Sequence, residues 1–163
     1  MRDANTARWI ACCFVALAAC GTPPGMDAAV PDLDAQPALE LGTGEASFVA
    51  VPSGSTLELV QGPQGGWHVV LAARLSGFDP EGTVLTFGVY EGTTLLAETP
   101  IAITLRRLVR DGAAYLKLGD LLIFSIGGPA EIVGRTVEIR ASIRSGTTVL
   151  AMDSRMVTIV DAM

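Results

Sequence analysis

The one histidine of the chain, His68, follows an indole, Trp67, at the end of a glycine-rich stretch, Gly62-Pro63-Gln64-Gly65-Gly66. A ring beside an imidazole at the mouth of a glycine loop can hold a polar ligand. The favoured reading of the same residues is a tight connection between strands, with Trp67 turned inward and His68 outward, since Gly and Pro clusters between apolar runs are usually turns. One imidazole, with no thiol after Cys20, supplies neither a zinc set nor a blue-copper set, since both need several His or Cys donors. Nucleophilic catalysis needs a serine or thiol beside a base. Ser53, Ser55 and Ser125 lie near glycines, but none stands in a Gly-x-Ser-x-Gly elbow, and His68 is the only base of its kind. Asp79 and Glu81, two apart, offer paired carboxylates for glycoside hydrolysis; yet Asp79-Pro80-Glu81-Gly82 is a turn sequence, where solvated acids are not tuned for proton transfer. Arg106, Arg107 and Arg110 form the densest basic cluster, and Arg140 and Arg144 share one face of a strand pattern. Their planar guanidiniums suit an anionic glycan, a lipid headgroup or an acidic partner. The plainer reading is a solvated strand end, ion-paired to Asp111 and Glu138. Phosphate loops and dinucleotide fingerprints are absent from the sequence. These patterns predict no metal, no cofactor and no catalysis.

The remaining chemistry-bearing residues are cysteines, and all three fall in the first twenty positions. Arg2 and Arg8 outweigh Asp3, and an unbroken apolar run, Trp9 to Ala18, follows. That run is shorter than the roughly 20 residues a spanning helix needs, so positions 1–19 read as a removable secretory signal. It ends in Leu17-Ala18-Ala19-Cys20-Gly21. Those five residues resemble the lipobox of bacterial lipoproteins. The resemblance implies that Leu17, Ala18 and Ala19 are recognised by the signal peptidase and that Cys20 becomes the acylated amino terminus. It implies two or more acyl chains, which anchor stably where a single chain does not. Gly21 in place of an aspartate resembles the pattern of proteins passed on to the outer membrane, facing the periplasm or the surface. The alternative is ordinary cleavage after Ala16-Leu17-Ala18, which leaves Cys20 a free thiol.

Loss of the leader carries away Cys12 and Cys13, and acylation uses Cys20, so the mature domain is predicted to have no disulfide despite an oxidising destination. Removing Arg2, Arg8 and Asp3 takes 11 basic and 17 acidic residues to 9 and 16, a formal net charge of minus 7. That balance argues against nucleic acid as a partner. The expected partners are the membrane, through the anchor, and an envelope protein or a glycan.

The elements that must position these residues follow from pattern. Gly21 to Gly44 carries four prolines and four acids, with no basic or aromatic residue, and reads as a tether over residues 20–44. Its acids are expected to hold the domain off an anionic lipid surface. Residues 45–163 switch to period two with Gly, Pro, Asp and Ser punctuation, as in an all-β sandwich. Val137, Ile139, Ala141 and Ile143 alternate with Glu138, Arg140, Ser142 and Arg144; Leu85, Phe87 and Val89 alternate with Thr86, Gly88 and Tyr90. The predicted strands are Ala46–Val51, Thr56–Gln61, Trp67–Ser76, Thr83–Tyr90, Thr94–Leu105, Ala114–Leu118, Leu121–Ile126, Thr136–Arg144 and Val149–Val160. Seven to nine antiparallel strands of this kind resemble an immunoglobulin-like two-sheet sandwich, without its Cys, Trp, Cys spacing. Ile101 to Arg110 also fits a helical stripe, though its β neighbours favour a strand. Gly92-Thr93-Thr94-Leu95-Leu96-Ala97 recurs as Gly146-Thr147-Thr148-Val149-Leu150-Ala151, predicting two equivalent hairpins. The expectation is a non-catalytic binding or structural module. The alternative is a carbohydrate-active or other hydrolytic enzyme that works through exposed carboxylates.

Overall fold

The computed structural model describes residues 35–162; Leu17, Ala18, Ala19 and Cys20, read from sequence as the peptidase site and the lipidated cysteine, lie outside them. The elements run β1 (Ala38–Thr43), β2 (Val49–Ala50), β3 (Ser55–Gln61), β4 (Trp67–Ser76) and β5 (Val84–Glu91). They continue with β6 (Thr94–Ala102), a 3-10 turn at Leu105–Arg107, β7 (Val109–Asp111) and β8 (Ala114–Phe124). A second 3-10 turn at Pro129–Glu131 precedes β9 (Thr136–Ser145) and β10 (Thr148–Asp161). The strands form where alternation is cleanest. Val69, Leu71, Ala73 and Leu75 of β4, Leu85, Phe87 and Val89 of β5, and Val137, Ile139, Ala141 and Ile143 of β9 are all buried. Each buried Val, Leu, Ile or Phe among them contributes about 1.5 to 3 kcal/mol, and the alanines less.

Among the described residues the strands hydrogen-bond in the order β2-β1-β4-β3-β10-β9-β5-β6, with β8 on β4 and β7 beyond it, as one ten-stranded mixed sheet. The bend is made by β3. Its residues 55–59 pair with β10, while Val60 and Gln61 pair with His68 and Trp67 of β4. The two arms fold over one core in which Leu41, Leu59, Leu71 and Leu122 meet Phe87, Ile139 and Ile159. The sheet does not close into a barrel; across the gap between β6 and β8, Thr99 Oγ1 donates to the Leu121 carbonyl at 3.5 Å.

The all-β expectation holds, and several particulars differ. The pairing is not antiparallel throughout, because β3 runs parallel to β10. The ordered domain starts before residue 45: β1 pairs antiparallel with β4 from Ala38↔Ser76 to Gly42↔Ala72. Proline and acid content hid this strand, but Leu39 and Leu41 alternate into the core, and Glu40 turns outward to Arg74 at 3.8 Å. Ala114–Leu118 and Leu121–Ile126 are one strand, β8, whose register slips around the left-handed Gly119 (φ +68°). The segment predicted as a strand to Leu105 leaves the sheet after Ala102. The backbone N–H of Ile103 turns to the Thr83 carbonyl at 2.9 Å, and that of Leu105 to Glu81 Oε2 at 2.6 Å. The first predicted strand shrinks to Val49–Ala50.

Both hairpins take two-residue turns, with Gly92 at φ +62° and Gly146 at φ +56°. They lie side by side through the antiparallel β5–β9 pair. Register fixes which loops share an end. Ala38 sits beside Ser76, Val84 beside both Ala102 and Arg144, and Leu75 beside Tyr115. Residues 77–83, 103–109, 112–113 and 146–147 therefore cluster where the chain comes in at Ala35. Gly77 makes this crossing possible: at φ +76° a side chain would strike the backbone of Ala35 and Gln36.

Candidate functional site

Alternation leaves every second residue of β5 and β9 facing away from the core, and with the adjoining β6 and β10 this outer face holds an open concavity of about 720 Å³. The register lays its residues out in rows, with strands about 4.8 Å apart. One row is Glu98, Gly88, Arg140, Ser154; beside it lie Pro100, Thr86, Ser142, Met152 and then Ala102, Val84, Arg144, Val149. On the other side come Leu95, Tyr90, Glu138 and Met156.

The centre is organised by a missing side chain. A Cβ on Gly88 would stand 2.9 Å from Tyr90 Cε2, so the glycine leaves room for the phenol ring beside it. The Arg140 guanidinium stacks 4.1 Å from the Tyr90 ring centroid. Its Nη2 donates to Glu138 Oε2 at 2.6 Å. That hydrogen bond, helped by one from Ser154, holds the Glu138 carboxyl below its usual range against a smaller opposing effect of burial. The result is a guanidinium oriented on two sides and open to water on the rest. The side chains of Arg144 and Glu98 have no hydrogen bond or ion pair among the described residues. Met152 (70% exposed), Met156, Val149, Val84 and Leu95 form an apolar rim.

Asp153 and Arg155, at the β10 edge of the concavity, have a different task. Asp153 Oδ2 accepts the Leu41 N–H at 2.8 Å, Arg155 Nε donates to the Val51 carbonyl at 3.1 Å, and the two side chains pair with each other. They stitch β1 to β10, which are not hydrogen-bonded neighbours in the sheet. Chemically, the face presents donors and acceptors of both charge signs, hydroxyls from Thr86, Ser142 and Ser154, and apolar margins. That set suits a polyhydroxylated ligand better than a strongly charged one.

The residues singled out from sequence are placed apart from this face. Trp67 is half-buried, packs against the core and pairs with Gln61 and Phe124. His68 faces outward between Val60 and Ile123, above a turn closed by Gly62 N–H to the Gly66 carbonyl at 2.7 Å. Arg106 and Arg107 are exposed on the 3-10 turn after β6. Arg110, on β7, stacks on Tyr115 at 5.1 Å and donates to its hydroxyl at 3.0 Å. The β4 strand separates Trp67 from the arginine cluster by roughly 25 Å, at about 3.3 Å per residue. Asp111 pairs with Arg74, and Glu138 pairs with Arg140. Asp79 and Glu81 are spent on the turn. Asp79 Oδ1 accepts the Glu81 N–H at 3.0 Å, and Glu81 accepts that of Leu105. Tyr90, Gly88, Glu98 and Glu138 were not singled out as a site. The signal was a glycine in mid-strand two residues before an aromatic, on the same face as Arg140 once β5 is set beside β9.

Among the described residues no three His, Cys, Asp or Glu side chains converge as a metal set, and no helix is long and apolar enough to cross a membrane. No protein-family model matches the chain, and no curated protein matches it. Among solved structures it is similar to the CooA pilin subunit of enterotoxigenic Escherichia coli. The identity is 10%, over 76% of this chain and 98% of that one, with a TM-score of 0.31. A likeness of that depth carries no functional argument.

Proposed function

We propose that this chain is a lipid-anchored protein of the bacterial cell envelope, held at the outer membrane, whose immunoglobulin-like two-layer domain is a non-catalytic binding module for a glycan strand. The anchor reading rests on the Leu17-Ala18-Ala19-Cys20 lipobox. The binding reading rests on one observation: the Gly88-Tyr90-Arg140-Glu138 arrangement inside an open concavity. Planar side chains of both signs pair with vicinal hydroxyls, and a groove open at its ends accommodates a chain rather than a small closed ligand.

A hydrolytic alternative has one observation in its favour, since Glu98, Glu138 and Asp153 line the same concavity. Its chemistry is poorly served. A general acid must hold its proton near neutrality, whereas Arg140 keeps Glu138 ionised and Asp153 is engaged by Leu41 and Arg155.

Titration of the chain against solubilised envelope polysaccharides tests both. The module predicts saturable binding without new reducing ends, weakened about tenfold or more by Arg140→Ala, since hydrogen bonds to charged groups contribute about 1.5 to 3 kcal/mol. Release of reducing ends that stops in Glu98→Gln would establish the enzyme instead. Mass spectrometry of the mature amino terminus decides the anchor: an acylated Cys20 supports it, and an intact Met1 removes it.

A further inference from the structure

The end of the domain where the chain comes in is chemically unlike the rest of it. Leu105, Arg106, Arg107, Val109 and Arg110 are all exposed there, Leu105 by 40% and Val109 by 52%. The side chains of Arg106 and Arg107 make no hydrogen bond or ion pair among the described residues. Their turn is held rigidly in place: Glu81 accepts the Leu105 N–H, the Leu108 N–H bonds back to the Leu105 carbonyl at 3.0 Å, and Leu108 packs on the core. Among the described residues the acids nearest to this turn are held locally: Glu81 and Asp79 accept backbone N–H groups of Leu105 and Glu81 and keep their charge, and Asp111 pairs with Arg74. Register places Arg144 at the same end, beside Val84 and Ala102. The far end instead carries Glu91, Glu131 and Asp161, with Arg135 turned to Glu91 at 3.1 Å. A domain with more acids than bases therefore has Arg106, Arg107 and Arg144 around the point where Ala35 enters, with exposed Leu105 and Val109 beside the first two.

We infer that this end, Leu105 to Arg110, docks on an anionic phospholipid surface, with the arginines on headgroups and Leu105 and Val109 at the boundary. The inference deepens the anchor reading and rests on it for geometry. Fifteen residue steps join Cys20 to Ala35, so even full extension carries the basic end no more than roughly 50 Å from the anchor, at about 3.3 to 3.6 Å per residue. The surface is within its reach, and basic residues there are attracted within about one Debye length. Docking this way stands the strands on end. The Arg144 end of the outer-face concavity points to the bilayer and the Tyr90 end points away from it.

The test uses the Cys20→Ser chain, which carries no acyl group. It is floated at low ionic strength with neutral phosphatidylcholine vesicles and with vesicles containing anionic phosphatidylglycerol. The ratio of the two cancels any contribution of an uncleaved leader. Docking predicts a ratio well above ten, a loss of about fivefold per arginine in Arg106→Gln/Arg107→Gln, and retention in Arg106→Lys/Arg107→Lys. Glu91→Gln/Glu131→Gln at the far end should leave the ratio unchanged. A ratio near one, or equal losses from both ends, overturns the inference and leaves the acidic tether as a spacer. Flotation of the wild-type chain on neutral vesicles, compared with Cys20→Ser, reports the anchor separately. Its failure would not alter the anionic-to-neutral ratio.

Discussion

Asp153 on β10 accepts the backbone N–H of Leu41 on β1 at 2.8 Å, across 112 residues of sequence. Leu41 is fully buried, and its N–H faces the side of β1 not paired with β4. An unmet donor there costs about 1.5 to 3 kcal/mol when the lost partner is charged. Asp153→Ala should lower the stability measured by urea unfolding by that amount. Asp153→Asn, which keeps an acceptor, should recover part of it.

The glycine at the centre of the outer face gives a second expectation. In Gly88→Ala the new methyl stands 2.9 Å from the Tyr90 ring, which must move, and the stacked Arg140 moves with it. The core is untouched, because Phe87 and Val89 point the other way. Thermal stability should change little, while affinity for glycan falls about tenfold. A Gly88→Ala chain that binds like wild type would show that the ring's position is immaterial.

A carboxyl titration reads the same arrangement from Glu138. Its native pKa is lowered, first by the hydrogen bond from Arg140. The stabilising contribution is therefore present above the ordinary glutamate value and disappears as pH falls through the lowered one. Both side chains are partly solvated, so the effect on stability is small. By NMR, Glu138 should titrate below ordinary glutamates, and Arg140→Ala should return it upward.

Lys117 and Asp120, at the β8 bulge, form the most enclosed ion pair, with side chains 11% and 13% exposed. Burial pushes the Asp120 carboxyl above its usual range, opposed by Lys117, and Asp120 Oδ2 has no hydrogen-bond partner among the described residues. The native state holds that proton more tightly than the unfolded chain does. The Asp120 contribution therefore falls as pH rises from about 3.8 through the raised value. Lys117→Met should destabilise by about 3 kcal/mol at pH 7, with partial relief in acid as Asp120 protonates. The double change Lys117→Met/Asp120→Leu should be neutral or stabilising by about 1 to 4 kcal/mol. Denaturation at pH 4.5 and pH 7 separates these outcomes.

What could be read from sequence follows the range of the interactions involved. Strand β4 was legible to the residue, and β5 and β9 nearly so, because period-two burial and Gly turns are local signals. β1 was not, since two leucines among prolines and acids gain strand character only from the edge of β4. The parallel pairing of β3 with β10 joins residues about 100 apart and leaves no local mark. The candidate site lies between these cases. Each strand face was readable, as Arg140 with Arg144 and as Thr86, Gly88 and Tyr90. That the two faces adjoin depends on Gly88 pairing with Arg140, which only the sheet supplies.

The most direct measurement is backbone-amide NMR of the chain as an envelope glycan is added. The glycan-module reading expects shifts confined to Thr86, Gly88, Tyr90, Glu98, Arg140, Ser142 and Ser154, disappearing in Arg140→Ala. Shifts centred on the Gly62–Gly66 turn, Trp67 and His68, with the outer face silent, would contradict it.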